Sequence, residues 1–143
     1  TTITIKTTKE VVWKVLMDHK NYSNWNPFIT KISGGVDVGE HLQVLIQNEG
    51  KKPMKFEPLV LVNRMNEEFR WKGKLFVNGL FDGEHYFKII EKDDDSVQFI
   101  HGEKFTGLLS GIIGSLILED TKKGFMKMNE ALKEIAEMGN SNS

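Results

Sequence analysis

The chain has 143 residues, 39% of them hydrophobic and 27% charged, and its 19 basic and 20 acidic side chains leave a formal net charge of -1. That length suits one domain able to bury a sizeable core, and a charge so balanced gives no electrostatic footprint for nucleic acid or an anionic membrane. With no cysteine, disulfides, thiolate catalysis and Cys-ligated zinc or iron–sulfur centres are excluded.

The opening segment, Thr1 to Lys6, alternates where a signal segment would be continuously apolar, and it reads as a strand with Ile3 and Ile5 on one face. The longest weakly polar run, Phe105 to Leu118, is shorter than the ~20 residues of a membrane span and is interrupted by Gly and Ser. A cytoplasmic protein with no membrane span is expected. Thr7-Thr8-Lys9-Glu10 fits a capping box with Thr7 as N-cap and Glu10 at the third helical position. A short helix through Val12, Trp13, Val15 and Leu16 should follow. The stretch from Asn21 to Pro27 reads as an irregular turn or one helical turn.

From Ile29 to about Thr106 the period falls to two, predicting consecutive strands joined by short turns. Leu42, Val44 and Ile46 alternate with their neighbours, Asn48 to Lys52 marks a turn, and Met54, Phe56, Pro58 and Val60 continue the alternation on a return strand. Pro58 cannot donate to a ladder, so an edge or bulge is expected there. Phe69, Trp71, Gly73 and Leu75 follow, then Phe81, Gly83, His85 and Phe87; Asp93 to Asp95 forms a turn, after which Val97, Phe99, His101, Glu103 and Phe105 make the last inward series. A final helix is predicted from about Leu116 to Glu137, with Leu118, Thr121, Phe125, Met128, Leu132 and Ile135 forming one apolar stripe. Residues 139–143 read as a loose tail. The expected architecture is one α+β domain over residues 1–143: a curled antiparallel sheet of about seven strands whose concave face the last helix covers.

Register decides which face the polar residues share. A turn centred on Asp94 pairs residues whose numbers sum to about 188, placing Phe87 opposite His101, Ile89 opposite Phe99 and His85 opposite Glu103. For the preceding hairpin, a two-residue Asn78-Gly79 turn would set His85 opposite Lys72. A three-residue Val77-Asn78-Gly79 loop sets Trp71 opposite His85 and Leu75 opposite Phe81. The second register keeps the bulky apolar residues on one face and is the one adopted. That face then combines Trp71, Phe81, Phe87, Phe99 and Phe105 with His85, His101 and Glu103.

Three ionisable groups inside an aromatic concavity have more than one explanation. A His–Glu pair can simply fix register, or the three can be the few placed polar groups of a cavity. One His beside one Glu can also act as a general base, and a two-His, one-carboxylate metal set is a further reading of the same residues. No metal site and no cofactor are expected. Asp93-Asp94-Asp95 reads as a polar hairpin turn in preference to a cation site. The Gly107, Gly111 and Gly114 series is either a flexible connection or a gate over a cavity mouth. His19 and His41 are expected at the surface. Trp25 is either core or the cavity rim beside Pro27.

Val12-Trp13-Lys14-Val15-Leu16 followed by Tyr22-Ser23-Asn24-Trp25-Asn26-Pro27-Phe28 resembles the opening of the START/Bet v 1-like superfamily, in particular its polyketide cyclase/dehydrase-type members. Phe69 to Gly73, Phe81 to Phe87, His101 to Leu109 and the closing Gly124 to Lys133 resemble later segments of the same group. The resemblance implies the helix-grip fold, with two short helices near the N-terminus and a hydrophobic cavity between sheet and C-terminal helix. It also implies roles as diverse as lipid, hormone and quinone binding, polyketide cyclisation and co-chaperone action.

The first functional expectation is a binder of a hydrophobic small molecule, lipid-, polyketide- or aromatic-like, as monomer or weak homodimer. Trp71, Phe87, Phe99, Phe105 and Phe125 would supply contact area, and His85, His101 and Glu103 would orient one polar group. Trp25, Phe81, Leu109 and Asn129 complete the expected ligand-binding set. The alternative is a cyclase or dehydratase in the same cavity, with His101 or His85 as general base oriented by Glu103. A protein-interaction role would require a large exposed apolar patch.

Overall fold

The computed structural model describes residues 1–74, 82–107 and 115–139. The elements in chain order are β1 (Thr2–Ile5), α1 (Lys9–Met17), a 3₁₀ turn (His19–Asn21), α2 (Tyr22–Trp25), β2 (Ile29–Gly34), β3 (Leu42–Ile46), β4 (Met54–Phe56), β5 (Leu59–Arg64), β6 (Glu68–Lys74), β7 (Asp82–Glu91), β8 (Val97–Thr106) and α3 (Ser115–Met138). The expected Leu75–Phe81 pair, the Val77–Gly79 loop, the candidates Phe81 and Leu109, Gly111, Gly114 and the tail beyond Gly139 lie outside the described residues.

Helix α1 is capped one residue later than the capping box predicts. The Thr7 N–H donates to the Ile5 carbonyl at 3.0 Å, which commits Thr7 to the turn leaving β1. Thr8 therefore takes the N-cap position and its Oγ1 accepts from the Val11 N–H at 3.3 Å. Glu10 then sits one position too early to close a box. Val12 and Leu16, four apart, are the buried pair of this helix.

All strands pair antiparallel, in the orders β1-β8-β7-β6-β5 and β2-β3-β4. The two ladders meet where His41 bridges Leu59, and the Leu42 N–H donates to the Pro58 carbonyl at 2.9 Å. What reads in sequence as one return strand from Met54 to Val60 thus bends at Pro58 into β4 and β5. A residue with no N–H can sit at that corner without breaking a bond. This bend turns the expected strands, about seven, into eight among the described residues and helps curl the sheet.

The registers adopted from sequence are the ones observed. Strands β7 and β8 pair His85 with Glu103, Phe87 with His101 and Ile89 with Phe99, while β6 and β7 pair Trp71 with His85 and Phe69 with Phe87. Asp95 takes the left-handed conformation (φ 61°) that closes the β7–β8 turn.

Helix α3 lies against this face. Its buried side chains are Phe125, Met128, Asn129, Leu132 and Ala136, at the three- and four-residue spacing of a single stripe. Burying each of the larger apolar ones contributes about 1.5–3 kcal/mol. Leu118, assigned to the stripe from sequence, is instead 45% exposed. His19 is a second correction. It is wedged between the rings of Tyr22 (5.2 Å) and Phe69 (5.9 Å) and is not a surface residue. No helix among the described residues is long and apolar enough to cross a membrane.

Candidate functional site

The side-chain period of two puts Trp71, His85, His101 and Glu103 on one face of adjacent strands, where α3 meets them. Trp71 stacks on His85 with ring centroids 4.7 Å apart and planes within 15°; Phe125 of α3 stacks on His101 at 3.9 Å and 12°. Both histidines are buried, at 2% and 0% exposure.

A chain of hydrogen bonds links the helix to the sheet. Thr1 Oγ1 donates to the His101 carbonyl at 2.9 Å and accepts from Asn129 Nδ2 at 2.8 Å. Asn129 therefore turns its Oδ1 toward His101 Nδ1, 2.9 Å away. His101 Nε2 in turn lies 2.7 Å from His85 Nε2. On the far side of His85, Nδ1 lies 3.8 Å from Glu103 Oε2, and the Glu103 side chain is 22% exposed.

Burial holds the ionisation of His101 well below its ordinary value. A positive charge on the neighbouring His85 would lower it further, against an opposing hydrogen bond to Asn129. His101 is thus a neutral ring. Its Nδ1 faces an acceptor and must carry the proton, so its Nε2 is a bare lone pair and His85 must be the donor between the two rings. The 2.7 Å gap also leaves no space for an ion between the rings, since a zinc–nitrogen bond alone is about 2.0 Å. Among the described residues no group of three or more His, Asp and Glu side chains is placed to hold a metal.

His85 and Glu103 open onto a cavity of about 330 Å³. Its walls are Val44 and Ile46 of β3, Met54, Phe56 and Pro58 around the β4–β5 corner, Trp71 and Gly73 of β6, Gly83 and His85 of β7, Glu103 and Phe105 of β8, and Thr121 of α3, with Phe28 beneath. Polar groups gather at one side as Asn48, Lys51, Lys74 and Asp120. Lys51 forms an ion pair with Asp120, and Lys127 pairs with Glu49 at 2.7 Å, so the β3–β4 hairpin tip is tied to α3 twice. A wider depression of about 730 Å³ follows the solvent face of α3, but charged side chains such as Lys127, Glu130, Lys133 and Glu137 line it. That surface suits an apolar ligand poorly.

Of the candidates read from sequence, Trp71, His85, Glu103 and Phe105 line the cavity. Phe87, Phe99, His101, Phe125 and Asn129 do not; they form the packed layer behind it, His101 screened by His85. Trp25 is half-buried against Tyr22, at 5.1 Å between rings, and does not reach the cavity. Phe28, Val44, Ile46, Met54, Phe56, Pro58 and Thr121 are wall residues that sequence reasoning did not assign. The β3–β4 alternation already placed most of them on one face, and only the curl of the sheet toward α3 was missing.

A family model described as polyketide cyclase/dehydrase and lipid transport matches residues 1–137. Among solved structures, the Zhui aromatase/cyclase from Streptomyces sp. R1128 aligns with a TM-score of 0.74 at 14% identity, covering 96% of this chain and 91% of that one. A START superfamily protein from Mycobacterium smegmatis aligns with a TM-score of 0.70 at 16% identity, covering 96% and 95%. Ara h 8.0201 aligns at 0.72 and 14% identity, covering 95% and 94%. Identities this low establish the fold alone, the helix-grip arrangement of a curved antiparallel sheet about a C-terminal helix. Comparison with curated protein sequences gives no match.

Proposed function

The chain belongs to the polyketide cyclase/dehydrase and lipid transport family, and on that premise we propose that it binds a hydrophobic small molecule in the cavity between its sheet and α3. The observation that carries this reading is the cavity itself, about 330 Å³ walled mainly by apolar side chains with His85 and Glu103 at one point. A collapsed core would give no such space. Each water of liquid occupies about 30 Å³, so the void has the room of roughly ten waters and suits a ligand of about as many non-hydrogen atoms. Apolar burial and stacking on Trp71 supply affinity, and the two polar groups supply orientation.

Fluorescence titration with 1-aminonaphthalene, whose size matches the void, and its displacement by other naphthalene derivatives, tests the reading. Saturable one-site binding is expected. Ile46→Trp, whose indole has the void to enter, should weaken it by at least about tenfold while the circular dichroism spectrum stays that of a folded protein. Absence of saturable binding, or binding indifferent to that substitution, overturns the proposal.

One observation favours a second reading, a cyclase- or dehydratase-like enzyme. His85 and Glu103 stand side by side on the cavity wall, and general base chemistry needs a ring nitrogen open to substrate with a group to hold it. His101, the other candidate base, would act only through His85. Turnover of a polyketide-like substrate unchanged in both His85→Gln and Glu103→Gln would eliminate this reading.

A further inference from the structure

Resting on the cavity-binding reading, we infer that the site selects a ligand bearing a hydroxyl donor on a flat aromatic skeleton, a phenol or enol, because the buried relay from α3 leaves two acceptors side by side on the cavity wall. The argument follows proton positions. Thr1 Oγ1 gives its hydrogen to the His101 carbonyl, so it can only accept from Asn129, and this orients the amide. Asn129 Oδ1 then accepts from His101 Nδ1–H and His101 Nε2 accepts from His85 Nε2–H, so that on a neutral His85 ring the remaining nitrogen, Nδ1, is a lone pair. Glu103 Oε2 faces that lone pair at 3.8 Å, beyond hydrogen-bond reach, so no proton is shared between them.

Two acceptors in such proximity are unfavourable in an apolar wall until something donates to them. A ligand carbonyl or ether oxygen would add a third acceptor and be rejected. An ammonium would donate, but its desolvation in an apolar cavity is far more costly than that of a neutral hydroxyl. A phenolic hydroxyl satisfies the pair at the least cost, and its ring matches the aromatic wall beside Trp71. His101 and Asn129 touch no ligand in this scheme. They are positioning residues, setting which nitrogen of His85 is bare.

Two measurements on the wild-type protein test the inference. Long-range ¹H–¹⁵N correlation spectra should report His101 protonated at Nδ1 and His85 protonated at Nε2 alone. A proton on His85 Nδ1 without ligand, making a closed pair with Glu103, overturns the inference whatever binds. In displacement titrations 2-naphthol should bind at least about tenfold more tightly than 2-methoxynaphthalene, the preference a hydrogen bond to a charged acceptor confers. Equal affinities overturn this inference and leave the cavity reading standing, whereas failure of every probe, naphthalene included, overturns both. Glu103→Leu should bring the naphthol-to-ether ratio close to one. Asn129→Leu should lower the ratio and move the His85 proton toward Nδ1, a spectral change that a merely structural role for Asn129 would not produce.

Discussion

Acid should weaken this fold through two histidines kept neutral inside it, and the size of the effect follows from their surroundings. Burial lowers the ionisation of His19 from 6.5 to about 4, with the nearby Asp18 opposing, and burial also holds that of His101 well below 6.5. In the unfolded chain both protonate near 6.5. Because the folded values are depressed, the folded state is favoured above about 6.5, and that advantage is lost as pH falls, when only the unfolded chain takes up protons. Between pH 7 and pH 5 the linkage relation gives a loss of about 2 kcal/mol for a group with the two ionisation values of His19. His101, whose ionisation is lowered in the same direction, adds to that loss. Urea unfolding at the two pH values measures the sum, and His19→Phe isolates one part. Phenylalanine keeps the ring between Tyr22 and Phe69 and removes a buried Nε2 that has no hydrogen-bond partner. The variant should lose about 2 kcal/mol less than the wild type on acidification. Carboxylate contributions are common to both proteins and cancel in that difference. A stability that is flat from pH 7 to pH 5, or a loss identical in wild type and His19→Phe, would refute the reasoning.

Gly124→Ala sets two effects of opposite sign against each other. Helix propensity favours alanine by about 1 kcal/mol, but its Cβ would fall 2.3 Å from the buried Phe28 ring, which Phe125 holds at 5.5 Å; overpacking of about 1–3 kcal/mol should prevail, and an urea midpoint at or above wild type would contradict this. Replacing Lys51 and Lys127 together by methionine removes both ion pairs between the β3–β4 tip and α3. Exposed pairs contribute only about 0–1 kcal/mol each, so stability should barely change while dissociation of a cavity probe speeds up about threefold in stopped-flow fluorescence; an unchanged rate would show that the pairs do not brace the mouth. Ligand binding should quench the emission of Trp71, which lines the cavity, and Trp71→Phe should abolish most of the quench although Trp13 and Trp25 remain. A full quench in that variant would place the ligand elsewhere.

The strand pairing was legible in the sequence because one face is buried, and a register slip of one residue would have exposed a row of phenylalanines. From the Asp94-centred turn alone, His85 falls opposite Glu103, as observed. Elements whose placement depends on distant contacts were less legible. Thr7 carries the same capping chemistry as Thr8, and only its bond to Ile5 decides between them. Pro58 announced an edge or bulge, yet the bend it makes depends on β3 crossing from one ladder to the other. His19 looked like a surface residue because nothing local indicates that Phe69, fifty residues on, closes over it.

The site shows the same division, with a consequence for how its histidines should be read. By strand register His85 and His101 are near equivalents, two residues of one inward face on neighbouring strands. Packing separates them. His101 is enclosed by Phe125 and Asn129 of α3 and loses access to the cavity, while His85, stacked on Trp71, keeps one nitrogen at the wall. No periodicity in the strands could reveal this, because the residue that decides it is Asn129, the one amide on an otherwise apolar helical stripe. A buried polar group at such a position must find a partner on the element it faces. Here the partner is the ring that sets the protonation of the next, so a side chain without contact to the cavity governs the chemistry at its surface.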